Sequence, residues 1–431
     1  MSFPRNSLRA FLSHAKSHLQ SSIHKKQKVA FVLGNESADL DSLTSSLLYA
    51  YIRSQAPPRN CFTPFYIPIL NILEADIALR PEFTALFKHA NITASHLLTL
   101  SDLPTSSEIA SKLPPVETSW ILVDHNALQG SLGEIYTERV GGAIDHHADE
   151  RTVSSTAEPR IIETAGSCTS LVVNHLAPTW NYISGLAVSA GAGHGQHDSP
   201  ILDDGSYITT WDAQVAFMCL ASILIDTTNL TSKAKTTDHD RKAVSYLEAR
   251  IKVSPKLGRA YDRGKYFEEI KAAKESIGEL PLPDILRKDY KQWSEGNGCV
   301  LGMSSVVKPL SFLIEKASSG TCPSTSTLAS ETAAFSQARN LSLYAIMTTS
   351  TSEEGQFQRE LLLEGGAKMR DAIERFEREE GGILGLEEID LEDEGKATVE
   401  RQPWRKVWRQ KELGMSRKQV APMLRRVMGD G

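Results

Sequence analysis

The sequence has little cysteine: five residues in 431 (Cys61, Cys168, Cys219, Cys299 and Cys322), odd in number, scattered, and never in a CxxC pair. That argues against a disulfide scaffold and a structural zinc site, and makes a reducing compartment the natural setting. Long apolar runs are also missing. None approaches the roughly 18 residues that a bilayer-crossing helix requires, so no membrane span is expected. There is no excess of positive charge either. The 47 basic and 53 acidic residues give a net charge of −6, which speaks against a protein that coats nucleic acid. What is present is a 41% hydrophobic, 23% charged chain, long enough for two domains with well-buried cores. A cytoplasmic location and a monomer are expected.

Charge is unevenly spread. Residues 1–35 carry Arg5, Arg9, Lys16, Lys25, Lys26 and Lys28 and no acid. Residues 371–400 hold twelve acids and three bases, and residues 401–431 nine bases and two acids. A basic C-terminus on an acidic protein suggests that a particular anion is met there. The acid-free N-terminus, with Leu8, Phe11, Leu12 and Leu19 at helical spacing, has the composition of a mitochondrial transit peptide, which would imply a mitochondrial pool. A strand follows almost at once, which favours an amphipathic helix packed on the domain.

Strand-length apolar runs fall at 28–34, 65–70, 120–123, 140–144 and 160–163, with helical patterns at 41–53, 82–90, 168–177 and 213–225. This alternation predicts an α/β domain with a largely parallel sheet, whose functional residues collect at the carboxyl ends of its strands. A helical stretch at 240–275, strands at 299–307, 341–348 and 360–363 and a helix at 366–378 predict a second, smaller α/β domain. The expected domains are 1–240 and 255–431. Segments 184–206 and 317–332, rich in Gly, Ser, Thr and Ala, read as irregular surface insertions. His194 and His197 in the first read as solvated loop histidines, because flanking glycines break the helix that would pair them.

Four acidic or imidazole clusters each follow a strand-like run: 34–42 (GNESADLDS), 124–126 (DHN), 145–147 (DHH) and 226–229 (DTTN). A lone Asp after a strand is often only a helix cap. Four such clusters converging on one sheet edge would crowd carboxylates that cannot all stay ionised without cations. Carboxylates with an imidazole and no thiolate select hard six-coordinate ions such as Mn²⁺, Mg²⁺ or Co²⁺. Two such ions would clamp a phosphoryl oxygen and activate a water.

These segments resemble the four motifs of the DHH phosphoesterase superfamily. Together with AEPRI (157–161), GSCTSL (166–171), ILIDTTNL (223–230), DILRKDYKQW (284–293) and RKQVAP (417–422), the chain resembles the eukaryotic exopolyphosphatases. That branch shares a DHHA2-type C-terminal domain with family II inorganic pyrophosphatases and the prune proteins. The resemblance implies two divalent ions held by Asp39, Asp41, Asp124, His146 and Asp226, with Asp124 shared, and attack on phosphorus by a water between them. His147 would meet the substrate or pass a proton; the alternative is that it orients His146. Asp145 would be a supporting residue, and Cys168 part of a packed turn rather than a nucleophile. Asn35 stands where the pyrophosphatases have a ligating His, and an amide is the weaker ligand. That departure favours polyphosphate over pyrophosphate as substrate. Arg417 and Lys418 would face the phosphates, with Asn35, Lys291, Lys308 and Arg359 as further contacts; Lys406, Arg425 and Arg426 read as surface charges. The implied activity is release of terminal orthophosphate from inorganic polyphosphate. The rivals are a pyrophosphatase, a prune-like nucleotide phosphodiesterase, a RecJ-type nuclease and a non-catalytic binding protein.

Overall fold

The structure is a computed structural model that describes residues 5–191, 204–278, 280–318, 324–352, 354–389 and 404–429. The chain divides into two compact units, Met1–Lys274 and Glu275–Gly431. Residues 241–274 thus go with the first unit, because Val244, Leu247, Ile251, Tyr266, Phe267 and Ile270 pack into its core.

The first unit is built on five parallel strands, β1 (Val29–Leu33), β2 (Tyr66–Ile69), β3 (Thr118–Val123), β4 (Val140–Asp145) and β5 (Arg160–Ile162), in the order β2-β1-β3-β4-β5. β1 and β2 are buried throughout, which is why their sequences read as continuous apolar runs: parallel strands are covered on both faces. The chain goes out to β2, then returns past β1 to β3. Strand order therefore reverses at β1, and a crevice opens between the loops that follow β1 and β3. The clusters at 34–42 and 124–126 occupy those two loops.

Helix Leu8–Lys25 begins at Ser7, whose hydroxyl accepts the Ala10 N–H at 3.2 Å. It buries Leu8, Phe11, Leu12, Ala15 and Leu19 in the core, the i, i+3, i+4 stripe of an amphipathic helix. Two long helices, Cys168–Gly191 and Asp204–Asp226, depart from the sequence reading. Residues 184–191 continue the first helix and 204–206 open the second, so the expected insertion is irregular at neither end. Its small, weakly polar residues are helix-compatible once the helix is anchored by Trp180 and Ile183 in the core. His194 and His197 lie outside the described residues. The Tyr207–Asp226 stretch is, by length and composition, apolar enough to cross a bilayer, contrary to expectation, but 78% of its most apolar window is buried within the unit. Residues 240–275 form two helices, Asp238–Val253 and Arg263–Glu275, rather than one. The turn between them passes Gly258 so close to the Ile251 and Lys252 carbonyls that a Cβ there would lie 2.6–2.7 Å from them.

The second unit carries a mixed six-stranded sheet. Its strands are β6 (Tyr290–Ser294), β7 (Val300–Val306), β8 (Leu343–Thr351), β9 (Phe357–Gly365), β10 (Leu386–Glu388) and β11 (Trp404–Gln410), in the order β10-β11-β9-β8-β7-β6. Only β7 and β8 run parallel, joined through helices Leu310–Ala317 and Thr325–Ala338. The second of these helices takes up residues 325–332 of the segment expected to be irregular at 317–332. Along β9, Leu361 and Leu363 face a core shared with helices Arg370–Leu384 and Arg417–Gly429, while Leu362 faces the opposite core. That is the period-two alternation of a sheet covered on both sides.

Candidate metal centre

The loop after β1 is held from three directions. The Asn35 N–H donates to Ser42 Oγ at 3.0 Å, and the Ser37 N–H to Asn35 Oδ1 at 2.9 Å. Buried Arg80 donates to the carbonyls of Ala38 and Ser37 at 2.9 and 2.6 Å. Asp39 caps helix Leu40–Gln55, its Oδ1 accepting the N–H groups of Asp41 and Ser42 at 3.0 and 3.1 Å.

Asp41, in the first turn of that helix, is buried and its two oxygens do different jobs. Oδ1 accepts from Ser167 Oγ, Thr169 N, Thr169 Oγ1 and Ser222 Oγ at 2.6, 2.8, 2.7 and 3.0 Å. Oδ2 accepts the Cys168 N–H at 2.7 Å and faces His146 Nε2 at 3.6 Å. Burial pushes the carboxyl pKa upward, but His146 and the Ser167 and Thr169 hydrogen bonds together hold it below the usual range.

Asp124 follows β3 with φ 63°, a left-handed conformation that Asp tolerates better than most residues. Its Oδ2 accepts from Asn35 Nδ2 and Ser42 Oγ, both at 2.7 Å, while Oδ1 lies 3.2 Å from His146 Nε2. The His146 ring is fixed through Nδ1, 3.0 Å from the Ala165 carbonyl. A carbonyl can only accept, so Nδ1 carries the hydrogen and Nε2 is turned toward Asp41 and Asp124. That is how metal-binding imidazoles are commonly oriented.

Asp226 ends the Asp204–Asp226 helix, not a strand as its cluster was read, and sits one turn beyond Ser222. The Ser222–Asp41 hydrogen bond therefore brings this helix end to the cluster. Asp226 Oδ2 is buried and has no hydrogen-bond partner among the described residues. Burial, then the charges of Asp41 and Asp39, push the pKa values of both Asp124 and Asp226 well above the ordinary range. A buried orphan oxygen beside crowded carboxylates and an imidazole with its Nε2 presented is a donor set suited to a divalent cation.

The neighbouring Asp145 holds both histidines. Asp145 Oδ1 accepts the N–H groups of His146 and His147 and His147 Nδ1 at 2.7, 3.1 and 2.7 Å, and its Oδ2 accepts Asn126 Nδ2 at 2.6 Å. These contacts outweigh burial and hold Asp145 far below the usual carboxylate range. His147 is thus oriented by Asp145, and His146 by the Ala165 carbonyl; the two imidazole rings meet edge to face, centroids 4.8 Å apart. Cys168 is fully buried, with burial first among the causes raising its thiol pKa.

Comparison with known proteins bears on this arrangement. Residues 29–191 match the DHH family, N-terminal domain, and residues 268–427 match the DHHA2 domain. A Schizosaccharomyces pombe protein named "Putative exopolyphosphatase" is 32% identical over 410 residues, covering 94% of this chain and 92% of that one. The chain belongs to the DHH phosphoesterase family. Divalent metal ions are what the family implies for the Asp/His cluster. "Exopolyphosphatase PRUNE1" of Homo sapiens is 24% identical over 76% of this DHH phosphoesterase and 61% of its own length, and the Rattus norvegicus protein of that name is 24% identical over 69% and 56%. The chain thus spans under two thirds of those mammalian relatives.

In the second unit of this phosphoesterase, Lys308 and Arg359 lie toward one end of the sheet and Lys291 nearer its middle. Lys291 pairs with Met303 across β6 and β7, Lys308 follows β7, and Arg359 pairs with Thr349 across β8 and β9. Arg359 is buried, donates to the Leu413 carbonyl at 3.3 Å, and has its pKa lowered by burial to about 10. Arg417 contacts Asp289 Oδ1 and carbonyl O at 2.8 and 2.9 Å, and Lys418 beside it is exposed. Of the three residues read as surface charges, Lys406 pairs with Glu377, Arg425 with Glu295 and Arg426 with Glu380.

Sequence reasoning missed the residues that hold the acids in place: Ser42, Arg80, Asn126, Ser167, Thr169, Ser222 and Asp240. For Asp240 a signal existed, because Thr237-x-x-Asp240 is a capping-box spacing.

Proposed function

We propose that the protein is a metal-dependent exopolyphosphatase that releases terminal orthophosphate from inorganic polyphosphate. The observation that carries this reading is the convergence of Asp41 Oδ2 and Asp124 Oδ1 on His146 Nε2, at 3.6 and 3.2 Å, together with the orphan oxygen of Asp226. The fission yeast relative of near-equal length supports it. Asp39, Asp41, Asp124, His146 and Asp226 would hold two ions, Mn²⁺ or Mg²⁺ with Co²⁺ as a substitute, and Asp124 would be shared. Such ions supply Lewis acidity to the phosphoryl oxygens and lower the pKa of water in the site.

The chain's own groups do the rest. Asp124, its Oδ2 held by Asn35 and Ser42, holds the attacking water and assists its deprotonation. His147, clamped through Nδ1 by Asp145, meets the transferred phosphoryl group or passes a proton to the departing phosphate oxygen. Arg417, Lys418 and Lys291 bind the phosphates, with Arg359 and Lys308 as further contacts; arginine's planar fork suits phosphate oxygens. Asn35 directs its amide hydrogens to Asp124 O and Oδ2 at 3.1 and 2.7 Å, so we assign it the support of Asp124 rather than contact with substrate.

The test is phosphate release from long-chain polyphosphate, tripolyphosphate and pyrophosphate with Mn²⁺ or Mg²⁺, with Asp124→Ala as control. Steady release from the polymers, little from pyrophosphate and loss in the variant are expected. Activity confined to pyrophosphate, or none on any of the three, would overturn the reading.

A further inference from the structure

Asp240 lies outside the acidic clusters yet is completely buried, and it accepts five hydrogen bonds. Two come from Thr237, N at 2.7 Å and Oγ1 at 2.8 Å, and belong to the cap of its own helix, Asp238–Val253. The other three arrive from more than 65 residues away in sequence: Gly166 N at 2.9 Å, Ser167 N at 3.2 Å and Ser170 Oγ at 2.7 Å. A capping role explains the first pair and not these three.

Their target is the start of helix Cys168–Gly191, where consecutive N–H groups have no partner within the helix. Two carboxylates divide them. Asp240 takes Gly166 and Ser167, while Asp41 takes Cys168 and Thr169. The turn has no slack, since a Cβ on Gly166 would lie 2.5 Å from Thr227 Cγ2, 2.9 Å from Asp240 Oδ2 and 3.0 Å from the Lys235 carbonyl. The same turn supplies Ser167 Oγ and Thr169 Oγ1 to Asp41 Oδ1. With Oδ1 pinned in this way, Oδ2 is left facing His146.

We propose that Asp240 is a positioning residue that sets the aim of Asp41 by fixing the 166–170 turn, and so sets the affinity of the ion that Asp41 holds. The inference rests on the metal-binding part of the proposed function. Asp240→Asn keeps the shape but turns one acceptor oxygen into a donor facing donors. In the full-length protein, Mn²⁺ binding followed by electron paramagnetic resonance should show one site weakened about 10–100-fold, the usual cost of losing such a support. The other site should stay within a few-fold and unfolding should remain cooperative. Excess Mn²⁺ should restore kcat on polyphosphate with KM unchanged, a rescue that a purely structural defect would not show. Unchanged binding at both sites, or equal weakening of both, overturns the inference. Should Asp240→Asn not fold, Ser170→Ala removes one donor alone and should weaken the same site several-fold; wild-type binding in that variant is equally decisive against it. A wild-type protein that binds no Mn²⁺ would instead sink the metal reading itself.

Discussion

Asn35 shows how much a single residue can decide. Its amide is within hydrogen-bond reach of Asp124 through Nδ2 and of Ser37 through Oδ1, at a position where an imidazole would add a strong ligand for a transition ion. Asn35→His should tighten one Mn²⁺ site and raise the ratio of pyrophosphate to polyphosphate hydrolysis; an unchanged substrate ratio would show that the residue does not set preference. Asp124 and Asp226 carry a pH signature as well. Burial and their acidic neighbours raise both pKa values, so the folded protein binds protons that the unfolded chain has released. Stability of the metal-free protein from this source is present at mildly acidic pH and is lost as pH rises through the raised values. Asp41 and Asp145 are shifted the other way and lose their contribution only as pH falls below about 4. The melting temperature of the metal-free protein should therefore decline from about pH 5 to about pH 8, and Mn²⁺ should abolish the decline. A metal-free melting temperature that climbs over that range would contradict it.

At the scale of elements, the Cys168–Gly191 helix offers a paired test. Gly166→Ala places a methyl group against Thr227 and Asp240 and should cost about 1–3 kcal/mol as overpacking. Gly185→Ala, with nothing within 4 Å of the new Cβ, should stabilise the same helix by about 0.5–1 kcal/mol. Denaturant unfolding of the two variants checks both signs. The strands of the first unit were legible because parallel strands buried on both faces leave unbroken apolar runs such as VAFVL. Strands β6 and β11 were not, since YKQWS and WRKVWRQ alternate long polar and aromatic side chains and are only partly buried. The acids of the site were legible because they come in short clusters, three of them after strands and the fourth, at Asp226, at a helix end. Their hydroxyl partners were not: serine and threonine are common everywhere, and Ser222 meets Asp41 across 181 residues of sequence. Only the folded chain makes such a pairing visible.

Across the whole molecule, the net charge of −6 conceals a basic C-terminal segment for which a long polyanion would compete with salt. If the basic residues of the second unit bind a phosphate chain, ionic strength should raise KM several-fold for long polyphosphate and much less for tripolyphosphate, because each further contact is separately screened. Steady-state kinetics at low and high salt with both substrates checks this, and equal salt dependence would argue against extended binding.

The acids and imidazole assigned to the ions come from loops and helix ends far apart in the chain, from Asp39 through Asp226, and the supporting Asp240 comes later still. During synthesis the early acids emerge first and can gather only part of a cage, while the helix that carries Asp226 and Ser222 must be made before the last oxygens arrive. If these residues hold the ions, loading is a late event in the life of a new chain, and a retained ion marks the first unit as finished. A fragment ending before residue 226 should lose Mn²⁺ on gel filtration even where its five strands have paired, whereas the completed unit should keep it.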